Sequence, residues 1–419
     1  ANYKIWPLWL PRKQYAHGYV YFLKKNKIFG RIANLVGGEV YVPVLWQAPL
    51  IKNNEKFPVV IVSHGIGGNR TTLSTYCNEL ASHGFVVAAL EHRDGSASMT
   101  LCLTEQLDSS IRDVDEQVHI ERHCHSDSDI HSQEDNFDTR VQSAVQFYLD
   151  EGTENRESAG GRGSRVRQRR ENRRRSVRHN NSCTEEWRRF QHVPVWDDFD
   201  LRNGQMYHRA DEISDLLNQL ISMNEGKHIN NILGFGFNTT QFKDRLDISK
   251  VAVIGHSFGG ASTVATLATD VRFKLGISLD GWFHAVDNWA YKTAKQPCLL
   301  LNMEQFQWER NVNQMITFQN ANPDADRPMI TLKGGCHQSM TDFQFIVPHM
   351  LGRLMDVCHT LAPAQAMSTC IEASLAFLHK HLDLPFEQQH QDILDGNHKH
   401  LMAGTNVDLS IPDDGPTPP

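Results

Sequence analysis

The sequence predicts an α/β fold built on a doubly wound, mostly parallel sheet with helices on both faces. The first observation is a set of short, predominantly apolar segments at residues 57–63, 85–90, 250–254, 273–279, 297–302 and 328–333. Such runs are typical of parallel strands that are covered on both faces. The second observation is that helical patterns separate several of these segments, notably at residues 71–83 and 208–223. Strands that alternate with helices indicate a doubly wound parallel sheet.

The length and composition exclude several classes of protein. The 419 residues suffice for one large α/β domain or for two domains. The net charge of −7 is mild, so the chain as a whole does not have the composition of a nucleic-acid-binding protein. No apolar run approaches the roughly 20 residues that span a bilayer. The eight cysteines form no C-x-x-C pair and no dense framework, which favours free thiols in a reducing compartment.

One long segment, residues 104–182, interrupts the α/β pattern. Its first half is rich in Asp, Glu, His and Ser, and residues 160–179 are nearly all arginine and polar residues. Because such a segment buries too little apolar surface to order itself, we expect a disordered insertion. The insertion would divide a single domain formed by residues 1–103 and 183–405, and a disordered tail would follow at residues 406–419. An arginine-rich run is also typical of RNA-binding or nuclear-import segments, but a solvated insertion is the favoured interpretation.

The third observation indicates chemistry. The sequence Gly255-His256-Ser257-Phe258-Gly259 lies between the predicted strand 250–254 and a predicted helix start at 261–268. G-x-S-x-G between a strand and a helix is the pattern of a nucleophile elbow, which exposes its serine at the edge of a sheet. We therefore expect Ser257 to be a nucleophile. The N–H of Phe258, at the helix N-terminus, is expected to stabilise an oxyanion.

A serine nucleophile needs a histidine base and an acid that orients it. In hydrolases with this elbow the histidine follows the last strand, and Gly334-Gly335-Cys336-His337 follows the segment 328–333. His337 is therefore the predicted base. Asp280 ends one predicted strand and Glu304 follows the next. The pattern gives Asp280 only a slight preference and leaves both acids open.

A second oxyanion donor is expected in the loop after the strand 57–63. The sequence Ser63-His64-Gly65-Ile66-Gly67-Gly68 has glycines that let the backbone approach a substrate, and the N–H of Ile66 is the natural donor. We interpret His64 as a brace for this loop rather than as a base.

Several longer motifs carry a family resemblance. They are P-L-W-L-P-R at 7–12, S-H-G-I-G at 63–67, L-A-S-H-G-F-V-V-A at 80–88, E-H-R-D-G-S-A at 91–97, G-H-S-F-G-G-A at 255–261, L-D-G-W at 279–282, H-Q-S-M-T-D-F at 337–343 and L-A-F-L-H-K-H-L-D-L at 375–384. With these motifs the chain resembles the platelet-activating-factor acetylhydrolases of the group VII phospholipase A2 type. The resemblance implies an α/β-hydrolase fold and a site without metal or cofactor.

The resemblance also implies roles for individual residues. Ser257, Asp280 and His337 match the family's triad, and Ile66 and Phe258 match its backbone oxyanion donors. The implied activity is calcium-independent release of acetate, or of short or oxidised acyl chains, from the sn-2 position of phospholipids such as platelet-activating factor. The substrate would lie at a membrane or lipoprotein surface, and no nucleic acid partner is expected.

The family's lipid-facing helices match residues 15–36 and 343–355. From its residues alone, the segment 19–36 suits an amphipathic helix with a cationic face, although a helix packed on the body of the protein with solvated lysines is slightly favoured. The apolar segment 343–355 also suits either a membrane contact or a core helix. The predicted membrane contacts are Phe22, Leu23, Phe345, Ile346, Met350, Leu351 and Leu354.

Two departures from the family remain. The chain begins where the family usually has a preceding strand pair, so the sheet is expected to lack its first strands. The insertion at 104–182 is longer and richer in arginine than expected. Residues 185–187 and 201–203 resemble the intracellular members, which favours a cytoplasmic protein with peripheral membrane association over a secreted one. The functional alternatives are a broader carboxylesterase or transacylase, and a non-catalytic relative with an anion-binding insertion.

Overall fold

The computed structural model describes residues 6–25, 38–51, 53, 55–105, 183–193, 199–227, 229, 237–347, 352–353 and 357–409. The bulk of the predicted insertion, residues 106–182, lies outside the described residues, as does most of the predicted tail, residues 410–419. The chain divides into a larger unit and a smaller unit, the latter formed by Leu103–Glu186 and Asn231–Gly236. The main sheet and the candidate site belong to the larger unit.

The main sheet confirms the predicted fold class. Its seven strands are β1 (Phe57–Ser63), β2 (Val86–Ala89), β5 (Leu246–His256), β6 (Leu275–Leu279), β7 (Cys298–Met303), β8 (Met329–Leu332) and β9 (Leu401–Ala403), in the order β2-β1-β5-β6-β7-β8-β9. All neighbours are parallel except β8 and β9. Two further strands, β3 (Met99–Glu105) and β4 (Cys183–Arg189), form a separate two-stranded sheet. Among the described residues, no strand before β1 joins the main sheet.

The strand β9 completes one edge of the main sheet. It pairs antiparallel with β8, with Leu332 opposite Leu401 and Ile330 opposite Ala403. Beyond it, the N–H of Gly404 donates to the carbonyl of Met329 at 2.8 Å. The last strand that the structure describes therefore covers hydrogen-bonding groups of β8.

The α-helices named within the described ranges are α1 (Lys13–Phe22), α2 (Ser74–Ser82), α3 (Phe199–Asn224), α4 (Phe258–Thr269), α5 (Asn288–Thr293), α6 (Glu309–Ala321), α7 (Phe343–Ile346), α8 (Pro363–His381) and α9 (Gln388–Leu394). Two hydrophobic clusters lie on opposite faces of the sheet. In β1, Val59 and Ile61 belong to the cluster with α3 and α4, whereas Val60 and Val62 belong to the cluster with α2 and α8. Because side chains alternate between faces, a strand buried on both faces must be apolar throughout.

The predicted helix at residues 19–36 is wrong in its bounds. The helix α1 begins at Lys13 and ends at Phe22, and Lys24 has a positive φ of 52°, which stops helical propagation. Residues 26–37 lie outside the described residues. The face of α1 that carries Tyr15 is buried against Trp187, whose ring meets Tyr15 at a centroid distance of 5.4 Å, so α1 packs on the body of the protein.

The predicted apolar helix at residues 343–355 is also shorter than expected. The helix α7 ends at Ile346, and Val347 has an extended backbone with a ψ of 129°. A residue that precedes a proline is disfavoured in the helical region, and Pro348 follows Val347. Within the part of the chain that the structure describes, no helix is long and apolar enough to cross a membrane.

Candidate active site

The turn between β5 and α4 holds Ser257 in a strained conformation. Its φ is 57° and its ψ is −119°, values that a non-glycine residue adopts only when the surrounding structure enforces them. The N–H of Ser257 donates to the carbonyl of Leu279 at 2.9 Å, and its carbonyl accepts from Trp282 at 3.0 Å. The end of β6 therefore holds this turn, as expected for a nucleophile elbow.

The glycines beside Ser257 are required by close packing. A Cβ on Gly255 would collide with the carbonyl oxygen of Gly259, and a Cβ on Gly259 would collide with the carbonyl oxygen of Ser63. Any larger residue would therefore separate α4 from β5 and β1. This packing leaves the Ser257 side chain at the surface, where it is half-buried.

His337 and Asp280 meet beside this turn. Asp280 directly follows β6, and His337 follows β8 after four intervening residues. The Nδ1–H of His337 donates to Oδ2 of Asp280 at 2.6 Å, and the backbone N–H of Met303 donates to Oδ1 at 2.8 Å. Glu304 lies elsewhere, because its carboxylate accepts the backbone N–H of Gly334 at 2.5 Å. Of the two acids that the sequence left open, the structure brings only Asp280 to the histidine.

Burial shifts the pKa values of both His337 and Asp280. It lowers the pKa of His337, so the imidazole is neutral at pH 7. Burial also raises the pKa of Asp280, while the N–H groups of Met303 and His337 stabilise the anionic carboxylate. Since a carboxylate can only accept, the imidazole carries its proton on Nδ1 and presents a free lone pair at Nε2.

Two neighbours that sequence reasoning did not assign to the site hold His337. The ring of Phe306 stacks on the imidazole at a centroid distance of 3.6 Å. The Nε2–H of His256 donates to the carbonyl of His337 at 2.8 Å, and the two imidazoles lie 4.6 Å apart. Because His256 directly precedes Ser257, this bond ties the base to the elbow. The position of His256 inside the G-x-S-x-G motif could have indicated a role in the site. Nothing in the sequence indicated one for Phe306.

Within the described residues, Ser257 Oγ makes no hydrogen bond to His337. Both side chains are half-buried, and both are tied to the same turn through His256. Bonds between a nucleophile and its base are often loose without substrate and tighten in the complex. The absence of this bond therefore does not exclude His337 as the base for Ser257.

The backbone N–H groups of Ile66 and Phe258 are available to a ligand. Phe258 is the first residue of α4, where N–H groups have no acceptor in the helix. Around Ile66, Gly67 donates to the carbonyl of Ser96 at 2.8 Å and Gly68 donates to the carbonyl of Gly65 at 3.1 Å. Among the described residues, neither Ile66 nor Phe258 donates its N–H to a protein acceptor. These groups can bind an oxyanion.

The predicted membrane contacts fall into three groups. Leu23 and Phe345 are exposed by 43% and 45%. Phe22 and Ile346 are half-buried, and the ring of Phe22 packs against Phe190 at 4.8 Å and covers Gly67. The remaining predicted contacts lie outside the described residues, and they are Met350, Leu351 and Leu354.

In the part of the chain that the structure describes, no group of three or more His, Cys, Asp or Glu residues could hold a metal ion.

Comparisons with known proteins identify the family of this chain. The chain matches the family described as "Platelet-activating factor acetylhydrolase, isoform II" over residues 1–152 and 153–401. The chain belongs to this family. The platelet-activating factor acetylhydrolases of Canis lupus familiaris and Bos taurus are 32% and 33% identical to it, over 96% of this chain and 74% of each relative. A solved ferulic acid esterase from Streptomyces cinnamoneus matches with a TM-score of 0.51 and 16% identity, over 90% of this chain and 79% of its own. That likeness shows the α/β-hydrolase fold alone.

We expect Asp280→Asn to lower kcat by roughly three to four orders of magnitude, because an amide can stabilise the wrong imidazole tautomer. Glu304→Gln is the matched control, since it neutralises the acid beyond the neighbouring strand and leaves an oxygen for Gly334. Its kcat should stay near that of the parent. Steady-state kinetics on a soluble ester, with folding checked by circular dichroism, would measure both. A larger loss for Glu304→Gln would mean that Asp280 is not the orienting acid.

A second prediction concerns the packing of the elbow. We expect Gly259→Ala to lower the free energy of unfolding by at least about 2 kcal/mol, because its Cβ would meet the backbone of Ser63. Gly204→Ala, inside α3 with open space around the added Cβ, should instead stabilise the protein by up to about 1 kcal/mol. Urea denaturation of both variants measures these changes. Equal effects would contradict the close approach of α4 and β1.

Proposed function

We propose that this chain is a serine hydrolase that cleaves the sn-2 ester of phospholipids whose sn-2 chain is acetyl, short or oxidised. The observation that supports it best is the hydrogen bond between His337 and Asp280 beside the strained Ser257. The family supports the substrate class, since its relatives in dog and cattle are named platelet-activating factor acetylhydrolases. A phospholipid ester hydrolase also agrees with the esterase fold.

The proposed reaction begins at Ser257. Its Oγ attacks the sn-2 carbonyl carbon while Nε2 of His337 accepts the hydroxyl proton. Asp280 keeps the imidazole in the Nδ1–H tautomer and stabilises the imidazolium that forms. The N–H groups of Ile66 and Phe258 would bind the oxyanion of the tetrahedral intermediate.

The second half of the reaction restores the enzyme. His337 returns its proton to the glycerol oxygen, the ester C–O bond breaks, and the lysophospholipid leaves. Water, deprotonated by His337, then attacks the acyl carbon on Ser257. His337 returns this proton to Ser257 Oγ as the acyl–oxygen bond breaks and the carboxylic acid leaves. Because this scheme draws its nucleophile, base and oxyanion donors from the protein, we propose that the activity is independent of calcium.

We also propose that the substrate is reached at a lipid surface. The ring of Phe343 in α7 packs on Tyr19 in α1 at a centroid distance of 5.1 Å, so the two helices lie together. More than two fifths of an apolar side chain is exposed at each helix, Leu23 directly after α1 and Phe345 in α7. Exposed apolar side chains on adjacent helices can enter the headgroup region of a membrane.

We expect Ser257→Ala to lower turnover at least about a thousandfold, because triad residues act as a unit. Ser249→Ala, at the exposed far end of β5, is the matched control and should keep full activity. The substrates are phosphatidylcholines with sn-2 acetyl or sn-2 palmitoyl chains, each assayed with and without a calcium chelator. The acetyl substrate should react much faster, with no effect of the chelator.

The outcomes of this assay separate the alternatives. Retained activity in Ser257→Ala would show that Ser257 is not the nucleophile. Similar rates for both chain lengths would favour the broader carboxylesterase, and transfer of the acyl group to an added alcohol would favour a transacylase. Loss of activity with the chelator would contradict calcium independence.

The pH dependence follows from the burial of His337. The base form must be neutral, and its lowered pKa keeps it neutral below the usual histidine value of 6.5. We therefore expect kcat/KM for a soluble ester to stay level between about pH 8 and about pH 6.5, and to fall at lower pH as the His337–Asp280 pair takes up a proton. Melting curves at each pH would exclude unfolding as the cause. A fall in kcat/KM centred above pH 6.5, the usual pKa of histidine, would contradict the lowered pKa of His337.

A further inference from the structure

A buried arginine contacts both segments that carry the proposed oxyanion donors. Arg209 lies in α3 and is completely buried. Its Nη1 donates to the carbonyl of His64 at 2.6 Å, two residues before Ile66. Its guanidinium also lies over the ring of Phe258, 4.5 Å from the ring centroid. One rigid cation therefore touches the loop after β1 and the first residue of α4.

The charge of Arg209 is neutralised locally. Its Nε donates to Oδ2 of Asp94 at 2.8 Å, and its Nη2 donates to the hydroxyl of Ser96. Burial raises the pKa of Asp94, but the charge of Arg209, together with His92 and the hydrogen bonds from Ser96, holds the pKa well below its usual value. Removing either partner of a buried ion pair leaves an uncompensated charge, so the position of the guanidinium is fixed firmly.

The polar groups around Ile66 are bound within the same cluster. Burial, and secondarily the charge of Arg209, lower the pKa of His64, so its ring is neutral. The Nδ1–H of His64 donates to the carbonyl of Gly65 at 2.8 Å, and its Nε2 accepts the backbone N–H of His92 at 3.2 Å. The N–H of Gly67 is bound to the carbonyl of Ser96, as described above. These bonds hold the loop and leave the N–H of Ile66 for a ligand.

A second serine–histidine–acid arrangement supports the same loop. Ser63 donates to Nε2 of His92 at 2.8 Å, and Nδ1–H of His92 donates to Glu212 at 2.8 Å. Ser63 and His92 are fully buried, so no substrate can reach them. Glu212 lies three residues after Arg209 in α3. The helix thus holds the loop through two buried side chains one turn apart.

We infer that Arg209 is a positioning residue for the oxyanion hole, an inference that rests on the proposed function. It keeps the N–H groups of Ile66 and Phe258 at the spacing that the tetrahedral intermediate requires. Lysine cannot replace it, because an ammonium group has neither the planar fork nor the face that stacks on Phe258. Small displacements of oxyanion donors reduce kcat more than substrate binding, because the charge develops only in the transition state.

The test compares Arg209→Lys with Arg327→Lys. Arg327 is also a buried arginine that donates to two carbonyls, those of Phe318 and Ala294, and its guanidinium lies 3.7 Å from the ring centroid of Phe318. It precedes the N-terminal end of β8, whereas the candidate site lies at the C-terminal ends of the strands. Both variants should lower the melting temperature. Only Arg209→Lys should lower kcat, by about tenfold to a hundredfold, with KM changed little.

Rates are expressed per active site titrated with an organophosphate, so that unfolded protein does not count. The acidic limb of the pH profile should not move, because His337 is untouched. An equal kcat in the two lysine variants, with Ser257→Ala inactive, would overturn this inference and leave the proposed function standing. Activity in Ser257→Ala would instead overturn the proposed function itself.

If Arg209→Lys does not fold, Phe258→Leu decides the question. It removes the ring beneath the guanidinium and keeps the backbone N–H. A lower kcat at nearly constant KM is expected, and an unchanged kcat would overturn the inference. Where both variants fold, their effects on kcat should be less than additive, because each breaks the same contact.

Discussion

The close approach of α4 to the strands beneath it is the constraint on which the candidate site depends. Gly255 and Gly259 let the helix begin directly against β5 and β1, and Gly260 lies against the side chain of Ser278 in β6. The ends of three strands are thereby brought to one turn. Ser257 takes up the resulting backbone strain, and Asp280, directly after β6, has a positive φ of 50° as well. Strain at these two residues is maintained because the neighbouring packing leaves them no alternative.

Six of the seven strands of the main sheet were predictable from the sequence because most of their residues are apolar, as burial between two layers of helices requires. The short edge strand β9 was not predicted, because only its first residue is buried. The helices at the periphery were less predictable. α1 starts earlier and ends earlier than its amphipathic pattern indicates, since Tyr15 in its first turn packs on the distant Trp187 and the positive φ of Lys24 stops it after Phe22. α7 ends before Pro348 although the apolar pattern continues, because backbone sterics override composition there.

The candidate site was predictable to different degrees. Ser257 follows from a strand, a turn and a helix that are adjacent in sequence. Asp280 and Glu304 follow neighbouring strands, and spacing along the chain cannot say which carboxylate turns towards His337. Phe306 and Arg209 carried no signal at all, because their roles exist only through contacts between distant parts of the chain. Arg209 in particular sits in a helix whose buried face would be expected to be apolar throughout.

The position of β9 late in the chain affects how the main sheet forms during synthesis. The strand follows all the other strands of the main sheet in sequence. It nevertheless pairs with β8, which lies about 70 residues earlier in the chain. Until those residues have left the ribosome, β8 presents an unpaired edge that can template association with other chains. Synthesis therefore passes through a stage in which the apolar sheet is nearly complete and still open at one side.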